Sequence, residues 1–283
     1  MKISQAKIDE FQTNGFVVTE GVFTDEEIAS FGAAVDAEVA RRTAGDSRTL
    51  AGKSTYEQSF VQCMRLWETE PAIRPFTFHR GMAQAASQLL GEDTLLLWQD
   101  QALYKEPGGR LTDPHQDLTF WPVGDAPLVS AWIPLLDVTR DMGAMAYVPG
   151  SHKAGRLKVV DITHTTEPYD ILDDPAIAGT RPVWVEAPAG SVVWHHGLTV
   201  HQAAPNTRTQ TRRVFTVVYL AAGYRRMREW AAYPLDRAGV RAGELMQGAG
   251  LPVAWPRGET DPFPEPPAHV GVPTGPQYDV QED

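Results

Sequence analysis

Between Thr94 and Leu220 the sequence is a series of short apolar or alternating runs, and glycine or proline interrupts nearly every gap between them. Runs of this length are typical of β-strands, and the gaps show no helical periodicity. Many short strands without intervening helices favour a sandwich or a barrel closed on itself, a group that includes the double-sheet jelly roll. The predicted strands are residues 94–98, 102–105, 128–136, 144–148, 181–186, 191–195 and 213–220.

The segment before this β-rich region is predicted to be mainly helical. Thr24 and Glu27 have the spacing of a capping box and introduce a helix over residues 25–42. A second helix is predicted over residues 73–90, where Gly91 supplies the C-terminal cap. We expect these helices to cover a mostly β core.

The segment after the β-rich region is rich in proline. The last 33 residues hold eight of the 22 prolines, which excludes a long helix or a central strand there. Trp255, Phe263 and Tyr278 indicate that this segment docks at least in part. We predict a single domain with a helical cover, a jelly-roll core and a Pro-rich extension, at residues 1–93, 94–222 and 223–283.

The composition of the chain limits the kinds of partner that the protein is expected to bind. A formal net charge of −11 disfavours nucleic acid, because neutralising phosphates needs a basic surface. The single cysteine, Cys63, excludes a disulfide within the chain, and its apolar neighbours indicate core packing. No 18-residue apolar run is present, and the first residues lack the apolar stretch of a signal peptide. We expect a cytoplasmic protein that binds neither membranes nor nucleic acid.

The first chemical signal is Pro114-His115-Gln116-Asp117, which follows a glycine-rich turn. On an extended segment, residues two apart project to the same face, so His115 and Asp117 can bind one metal ion. An isolated His-x-Asp is a weak pattern by itself.

The second signal begins at His201 and ends at Arg212, at the start of the last predicted strand. A turn rich in Pro, Asn and Thr predicts a hairpin that places these two residues on neighbouring antiparallel strands. Two imidazoles and one carboxylate form the facial triad that leaves three positions of Fe(II) open. His195 and His196 are alternatives for the third ligand, and Arg212 suits a carboxylate through two parallel hydrogen bonds.

Taken in order, these pieces resemble the phytanoyl-CoA dioxygenase family of Fe(II)/2-oxoglutarate oxygenases. The resemblance extends from about Phe11 to Tyr219, most of the chain. Met142-Gly143 replaces the family's usual Asn-Gly. The matching segments are Phe11-Gln-Thr-Asn-Gly-Phe-Val-Val18, Tyr104-Lys105, His115-Gln-Asp117, Trp132, Asp141-Met-Gly-Ala-Met-Ala-Tyr-Val-Pro-Gly-Ser-His152, and His201 with Asn206 and Arg212.

The resemblance implies that His115, Asp117 and His201 bind Fe(II) and that Arg212 pairs with the distal carboxylate of 2-oxoglutarate. It further implies that the cosubstrate pocket is lined by Lys105, Gln116 and Trp132. The expected reaction consumes dioxygen, releases succinate and carbon dioxide, and hydroxylates a small organic substrate. Halogenating relatives replace the carboxylate by a small residue, so Asp117 favours hydroxylation.

Two other functions remain open at this point: a cupin-like metalloprotein that does not use 2-oxoglutarate, and a ligand-binding relative without turnover. The substrate is not specified by fold-level analogy. An anionic substrate is a further expectation, because three arginines follow the last predicted strand. Candidates for the mouth of the site are Arg65, Trp67, Trp121, Arg225, Arg226, Arg228 and Trp230, and His152 is expected to be a turn residue.

Overall fold

Two antiparallel sheets face each other in the computed structural model, which describes residues 1–164 and 169–267. Tyr278, one of the residues predicted to dock the extension, lies outside these residues. The strands are β1 Phe16–Thr19, β2 Val61–Met64, β3 Leu95–Lys105, β4 Thr112–His115, β5 Leu128–Pro134, β6 Met145–Tyr147, β7 Val183–Val185, β8 Val192–His196, β9 His201–Ala203, β10 Arg212–Ala221 and β11 Val253–Trp255.

The major sheet has the order β1-β8-β5-β10-β3-β11, and β2 also pairs with β3. The minor sheet has the order β4-β9-β6-β7. Because both sheets are antiparallel and pack face to face, the structure confirms the predicted jelly-roll core with its helical cover.

The side chains of β10 point alternately into the hydrophobic core and into a cavity. Phe215, Val217 and Tyr219 lie in the core between the major sheet and the helices. Arg212 and Thr216, on the other face, line a cavity between the two sheets, which is called the site cavity below. Successive side chains of a strand point to opposite faces, so one strand serves both the core and the cavity.

The prediction of two strands at residues 94–98 and 102–105 is wrong, because they form the single strand β3. Gln99 and Gln101 face the site cavity, whereas Asp100 points toward the helices and accepts backbone hydrogen bonds of 2.7 and 3.0 Å. These consecutive polar residues interrupt the apolar pattern in the sequence, although the backbone pairing continues through them.

The helices that precede the β-rich region cover the outer face of the major sheet. The short helix after it places Leu235 in a separate apolar cluster with Leu96 and Leu220. The capping box at Thr24 and Glu27 forms as predicted. The single helix predicted over residues 73–90 is instead two helices, because the backbone of His79 is extended and its side chain caps the second one. The helices are α1 Gln5–Asn14, α2 Asp25–Thr43, α3 Leu66–Thr69, α4 Arg74–Thr77, α5 Arg80–Leu90 and α6 Tyr233–Arg237.

Strands from outside residues 94–222 complete the major sheet: β1 and β2 precede this range, and β11 follows it. Within the described residues, no helix is both long and apolar enough to cross a membrane.

A buried ionic cluster ties the early and late segments to the sheet. Arg65 pairs with Glu68 and donates to the carbonyl oxygens of Trp98 at 2.7 Å and Gly250 at 2.9 Å. Arg237 of α6 binds the same Glu68 carboxylate. Since these groups are almost fully buried, the single Glu68 carboxylate is shared by two guanidinium groups that are largely shielded from water.

We expect Glu68→Gln to lower the free energy of unfolding by about 3–5 kcal/mol, because it removes the carboxylate charge that both buried arginines contact. Urea unfolding followed by circular dichroism measures this loss. Glu10→Gln is the control, since it removes an exposed pair with Lys7 that should contribute less than about 1 kcal/mol. Equal losses in the two variants would contradict the structural role of the cluster.

Candidate functional site

Two histidines meet across the minor sheet. His115 ends β4 and pairs with His201, the first residue of β9, and their ring centroids are 4.3 Å apart. Asp117 begins the turn after β4, and its Oδ1 lies 3.5 Å from Nε2 of His115 and 3.6 Å from Nε2 of His201. One ligand atom from each residue lies within 4.8 Å of the other two. The structure thus brings the predicted triad together.

Backbone carbonyls orient both imidazoles. Nδ1 of His115 is 2.7 Å from the carbonyl oxygen of Asp113, and Nδ1 of His201 is 2.9 Å from that of Thr199. A carbonyl can only accept, so each Nδ1 carries the proton and each Nε2 has a lone pair directed at Asp117. This arrangement of second-sphere hydrogen bonds is typical of histidine metal ligands. The donor set fits an iron(II) ion.

The charge states also suit a metal. Burial, together with the neighbouring His115, lowers the pKa of His201 to about 3, so this imidazole is neutral at pH 7. Burial alone would raise the pKa of Asp117, but the neighbouring histidines His201, His115 and His195 hold it well below its usual value. A neutral imidazole and an ionised carboxylate are the forms that bind metals.

The second oxygen of Asp117 is held by the major sheet. Its Oδ2 accepts from the Ser130 hydroxyl at 3.1 Å and lies 3.2 Å from Nε2 of His195. His195 is therefore placed behind the carboxylate, outside the group of three converging ligand atoms. The adjacent His196 lies on the other face of β8, against Phe11 and away from the site cavity.

The predicted hairpin between His201 and Arg212 is wrong, because β9 belongs to the minor sheet and β10 to the major sheet. The connection crosses between the sheets and is held by the buried Asn206, whose side chain donates to the carbonyl oxygens of Lys105 and Gln210 at 2.9 and 2.8 Å. Arg212 therefore faces His201 from the opposite sheet.

Arg212 is a buried cation without a carboxylate partner within 4 Å among the described residues. It donates to the carbonyl oxygens of Gly143 at 2.9 Å and Leu103 at 3.4 Å, while its Nε has no partner there. Burial lowers the pKa of Arg212 to about 10, so it remains charged at pH 7. Buried charges are ordinarily paired, so this guanidinium fits the distal carboxylate of 2-oxoglutarate.

Two more polar atoms beside Arg212 lack partners within the described chain. They are Nε1 of Trp132, whose ring lies 5.6 Å from the guanidinium carbon, and the hydroxyl of Thr216. Both side chains line the site cavity, and the two residues are cross-strand partners. Thr216 is not among the predicted site residues, although its four-residue spacing from Arg212 on one strand places both on the same face.

The backbone conformation at Gly143 and the lack of space around it explain why this position of the Met142-Gly143 pair is a glycine. Its φ is +101°, and a Cβ at this position would lie 2.8 Å from Cδ of Lys105 and 3.2 Å from the carbonyl oxygen of Ala204. Only glycine takes this conformation in the available space without strain. Its carbonyl is thereby placed against Arg212.

Lys105 and Gln116 are near the site, but their side chains do not line the site cavity. Lys105 is buried, and its ammonium group contacts the carbonyl oxygen of Arg110 and the hydroxyl of Thr112. Gln116 braces loops by donating to the carbonyl oxygens of Gly155 at 2.9 Å and Leu198 at 2.8 Å. A direct contact of either side chain with the cosubstrate stays a prediction.

Most of the residues predicted at the mouth are elsewhere. Trp121 lines the site cavity, but Arg65, Trp67, Arg225, Arg226, Arg228 and Trp230 do not. Arg226 is buried and donates to Asp236 at 2.8 Å and to the carbonyl oxygen of Val240 at 2.7 Å. Arg226 thus lies within the extension, where Asp236 neutralises it. His152 contacts the ring of His196 outside the cavity.

The sequence profile of the phytanoyl-CoA dioxygenase family matches residues 11–214. Phytanoyl-CoA dioxygenase domain-containing protein 1 of Mus musculus is 26% identical over 272 residues, covering 78% of this chain and 91% of the relative. The chain therefore belongs to the phytanoyl-CoA dioxygenase family.

Solved structures share the fold. SnoK, a non-heme alpha ketoglutarate dependent carbocyclase from nogalamycin biosynthesis, superposes with a TM-score of 0.74 at 27% identity, covering 89% of this chain and 96% of SnoK. The epimerase SnoN, in complex with Fe³⁺, alpha ketoglutarate and nogalamycin RO, gives a TM-score of 0.71 at 25% identity, covering 88% and 98%. This chain is an iron- and 2-oxoglutarate-dependent oxygenase.

We expect His195→Leu to lower the affinity for Fe(II) roughly 10–100-fold, as when a metal ligand loses its outer hydrogen-bond partner. An anaerobic Fe(II) titration in competition with a chelator measures this change. His195→Gln, which keeps an N–H donor, should lose less, and His196→Leu is the matched control on the same strand. Wild-type affinity in His195→Leu would contradict a role in orienting Asp117.

Proposed function

We propose that this protein is a dioxygenase that hydroxylates a small organic substrate at an iron(II) held by His115, Asp117 and His201. The observation that carries this proposal is the convergence of two Nε2 lone pairs and one carboxylate opposite a buried, unpaired guanidinium. A facial triad leaves adjacent iron positions open for a chelating 2-oxo acid and dioxygen.

Arg212 is proposed to bind the distal carboxylate of 2-oxoglutarate from the major sheet. Trp132 Nε1 and the Thr216 hydroxyl offer further donors at the same place, and they have no partner within the described chain. An anion bound there would accept hydrogen bonds from the Arg212 guanidinium, Trp132 Nε1 and the Thr216 hydroxyl. These added hydrogen bonds favour anion binding.

When bound, iron and 2-oxoglutarate supply the oxidising chemistry, in which dioxygen converts the cosubstrate to succinate and carbon dioxide. The residues of this chain position the reactants. Phe120 packs with its ring centroid 5.6 Å from that of His115 and helps to exclude water on one side of the triad. Ser130 and His195 keep the Asp117 carboxylate aimed at the two histidines.

Hydroxylation is favoured over halogenation because the Asp117 carboxylate fills the place that a halide would need. Both remaining alternatives lack support in the site. A cupin-like metalloprotein has no use for the buried Arg212, and a non-catalytic relative would not need three metal-binding side chains that converge within 4.8 Å. The acidic net charge of −11 supports a small-molecule substrate rather than nucleic acid. We also propose a cytoplasmic location.

The expectation of an anionic substrate has lost its basis. Arg226 is neutralised by Asp236, and neither Arg225 nor Arg228 lines the site cavity. Arg212 is the remaining arginine or lysine among the described residues that line it, and the cosubstrate requires this residue.

We predict that His115→Ala, Asp117→Ala and His201→Ala each stay folded but lose Fe(II) affinity by more than the roughly 10–100-fold expected for an outer partner. The folded state should persist because the core does not depend on the metal. Anaerobic titration measures binding, and succinate release from 2-oxoglutarate measures function. His152→Ala is the control, a histidine outside the site cavity. Unchanged iron affinity in His201→Ala would refute this ligand assignment.

Arg212→Gln should weaken 2-oxoglutarate binding by about 2–5 kcal/mol, because one partner of a desolvated charge pair is removed. Iron binding should persist. Arg213→Gln is the matched control, since the adjacent Arg213 points to the helical side and pairs with Asp36. Calorimetric titration of 2-oxoglutarate into each metal-loaded variant gives its affinity for 2-oxoglutarate. If Arg212→Gln binds as wild type does, another cation holds the cosubstrate, and Lys105 would be the next variant.

A further inference from the structure

Three glutamines form a row on the wall of the site cavity. The hydroxyl of Tyr56 donates to Oε1 of Gln62 at 2.8 Å, and Nε2 of Gln62 donates to Oε1 of Gln101 at 2.7 Å. Nε2 of Gln99 approaches the same Gln101 oxygen at 3.4 Å. All four side chains line the cavity. Gln62, Gln99 and Gln101 are called the glutamine row below.

The glutamine row keeps a free donor and a free acceptor. Within the described chain, Nε2 of Gln101 donates to no protein atom and Oε1 of Gln99 accepts from none. Both side chains line the site cavity, where a few polar groups placed among apolar side chains orient a bound ligand. These atoms are therefore available to a bound molecule.

The glutamine row lies on β2 and β3, on one side of β10, whereas Trp132 lies on β5, on the other side. The guanidinium carbon of Arg212 is 5.6 Å from the centre of the Trp132 ring. The part of the cavity at Trp132 and Arg212 suits an anion, and the part lined by the glutamine row is called the glutamine end below. The cavity thus has two chemically distinct parts.

The glutamine end carries neutral polar groups and aromatic rings. Among the described residues that line the cavity, the permanent charges belong to Asp117 and Arg212, which the proposed metal and cosubstrate use. Phe120 and Trp121 add apolar faces, and the Trp121 ring packs against Trp98 at 5.5 Å. A charged group brought here would be desolvated without a counter-charge, which is unfavourable.

We propose that the glutamine row, with Phe120 and Trp121, recognises an uncharged substrate that has a flat ring and both hydrogen-bond donors and acceptors. This inference rests on the proposed function, because it assigns the rest of the same cavity. Gln99 and Gln101 contact the polar groups of the substrate, and the aromatic side chains contact its ring. The iron ligands and Arg212 do not discriminate between substrates in this arrangement.

Three probes of matched shape test the charge preference: 1-naphthamide, 1-naphthoate and 1-naphthylmethylammonium. Each is titrated anaerobically into protein loaded with iron and 2-oxoglutarate, and ligand-observed NMR gives the dissociation constant. The neutral amide should bind at least about tenfold more tightly than either ion, a difference of about 1.4 kcal/mol. Tighter binding of the acid or the cation, equal affinity for all three, or no binding by any of them would overturn the proposal.

Variants of the row test which residues are responsible. Gln101→Glu keeps the size of the side chain and introduces a negative charge, so it should shift the preference from the amide to the cation. Gln99→Leu should weaken amide binding about tenfold, the effect of losing hydrogen bonds worth about 1.4 kcal/mol. Gln84→Leu, a partly buried glutamine on α5 outside the cavity, is the control. Wild-type selectivity in Gln101→Glu would contradict the assignment.

The affinity for 2-oxoglutarate is measured on the same samples before any probe is added. If wild-type protein does not bind iron and 2-oxoglutarate, the proposed function itself fails. If both bind but the probes show no preference for the amide, only the substrate inference fails.

Discussion

The Asp117 carboxylate is the group on which the two sheets converge. It lies beside His115 and His201 of the minor sheet, while Ser130 and His195 of the major sheet contact its other oxygen. An ionised carboxylate in this buried place would be costly without such neighbours. The contacts from both sheets explain how the charge is tolerated, and they orient one oxygen toward the two histidines. The geometry of the site thus depends on the distance between the sheets.

Arg212 presents the complementary case, a buried cation whose counter-charge is missing from the described chain. Backbone carbonyls of Gly143 and Leu103 partly compensate its desolvation. Such an arrangement is less favourable than a paired one, so it is best understood as a preformed site for an anion. A ligand that pairs with Arg212 would also stabilise the fold, because it binds the native state alone.

The surrounding segments hold this cavity in place without contributing charge to it. Glu68 and its two arginine partners join the first and last parts of the chain to β3, on the outer face of the major sheet. Alternation along the strands keeps these ions apart from the cavity. As a result, the cavity wall can change from charged at Arg212 to neutral at Gln99 and Gln101 within a few residues of strand.

The fold class and the metal-binding pair His115 and Asp117 could be predicted from sequence, because strand length and two-residue spacing are local properties. The family resemblance added His201 and Arg212. The contacts of His195, Thr216 and the glutamine row were not predictable, and neither were the contacts of the arginines that follow β10. These features depend on which strands pair and in what register, and that is decided by interactions between residues far apart in the chain. Only the tertiary structure could bring those residues together, since strand alternation tells which residues share a face but not which faces meet.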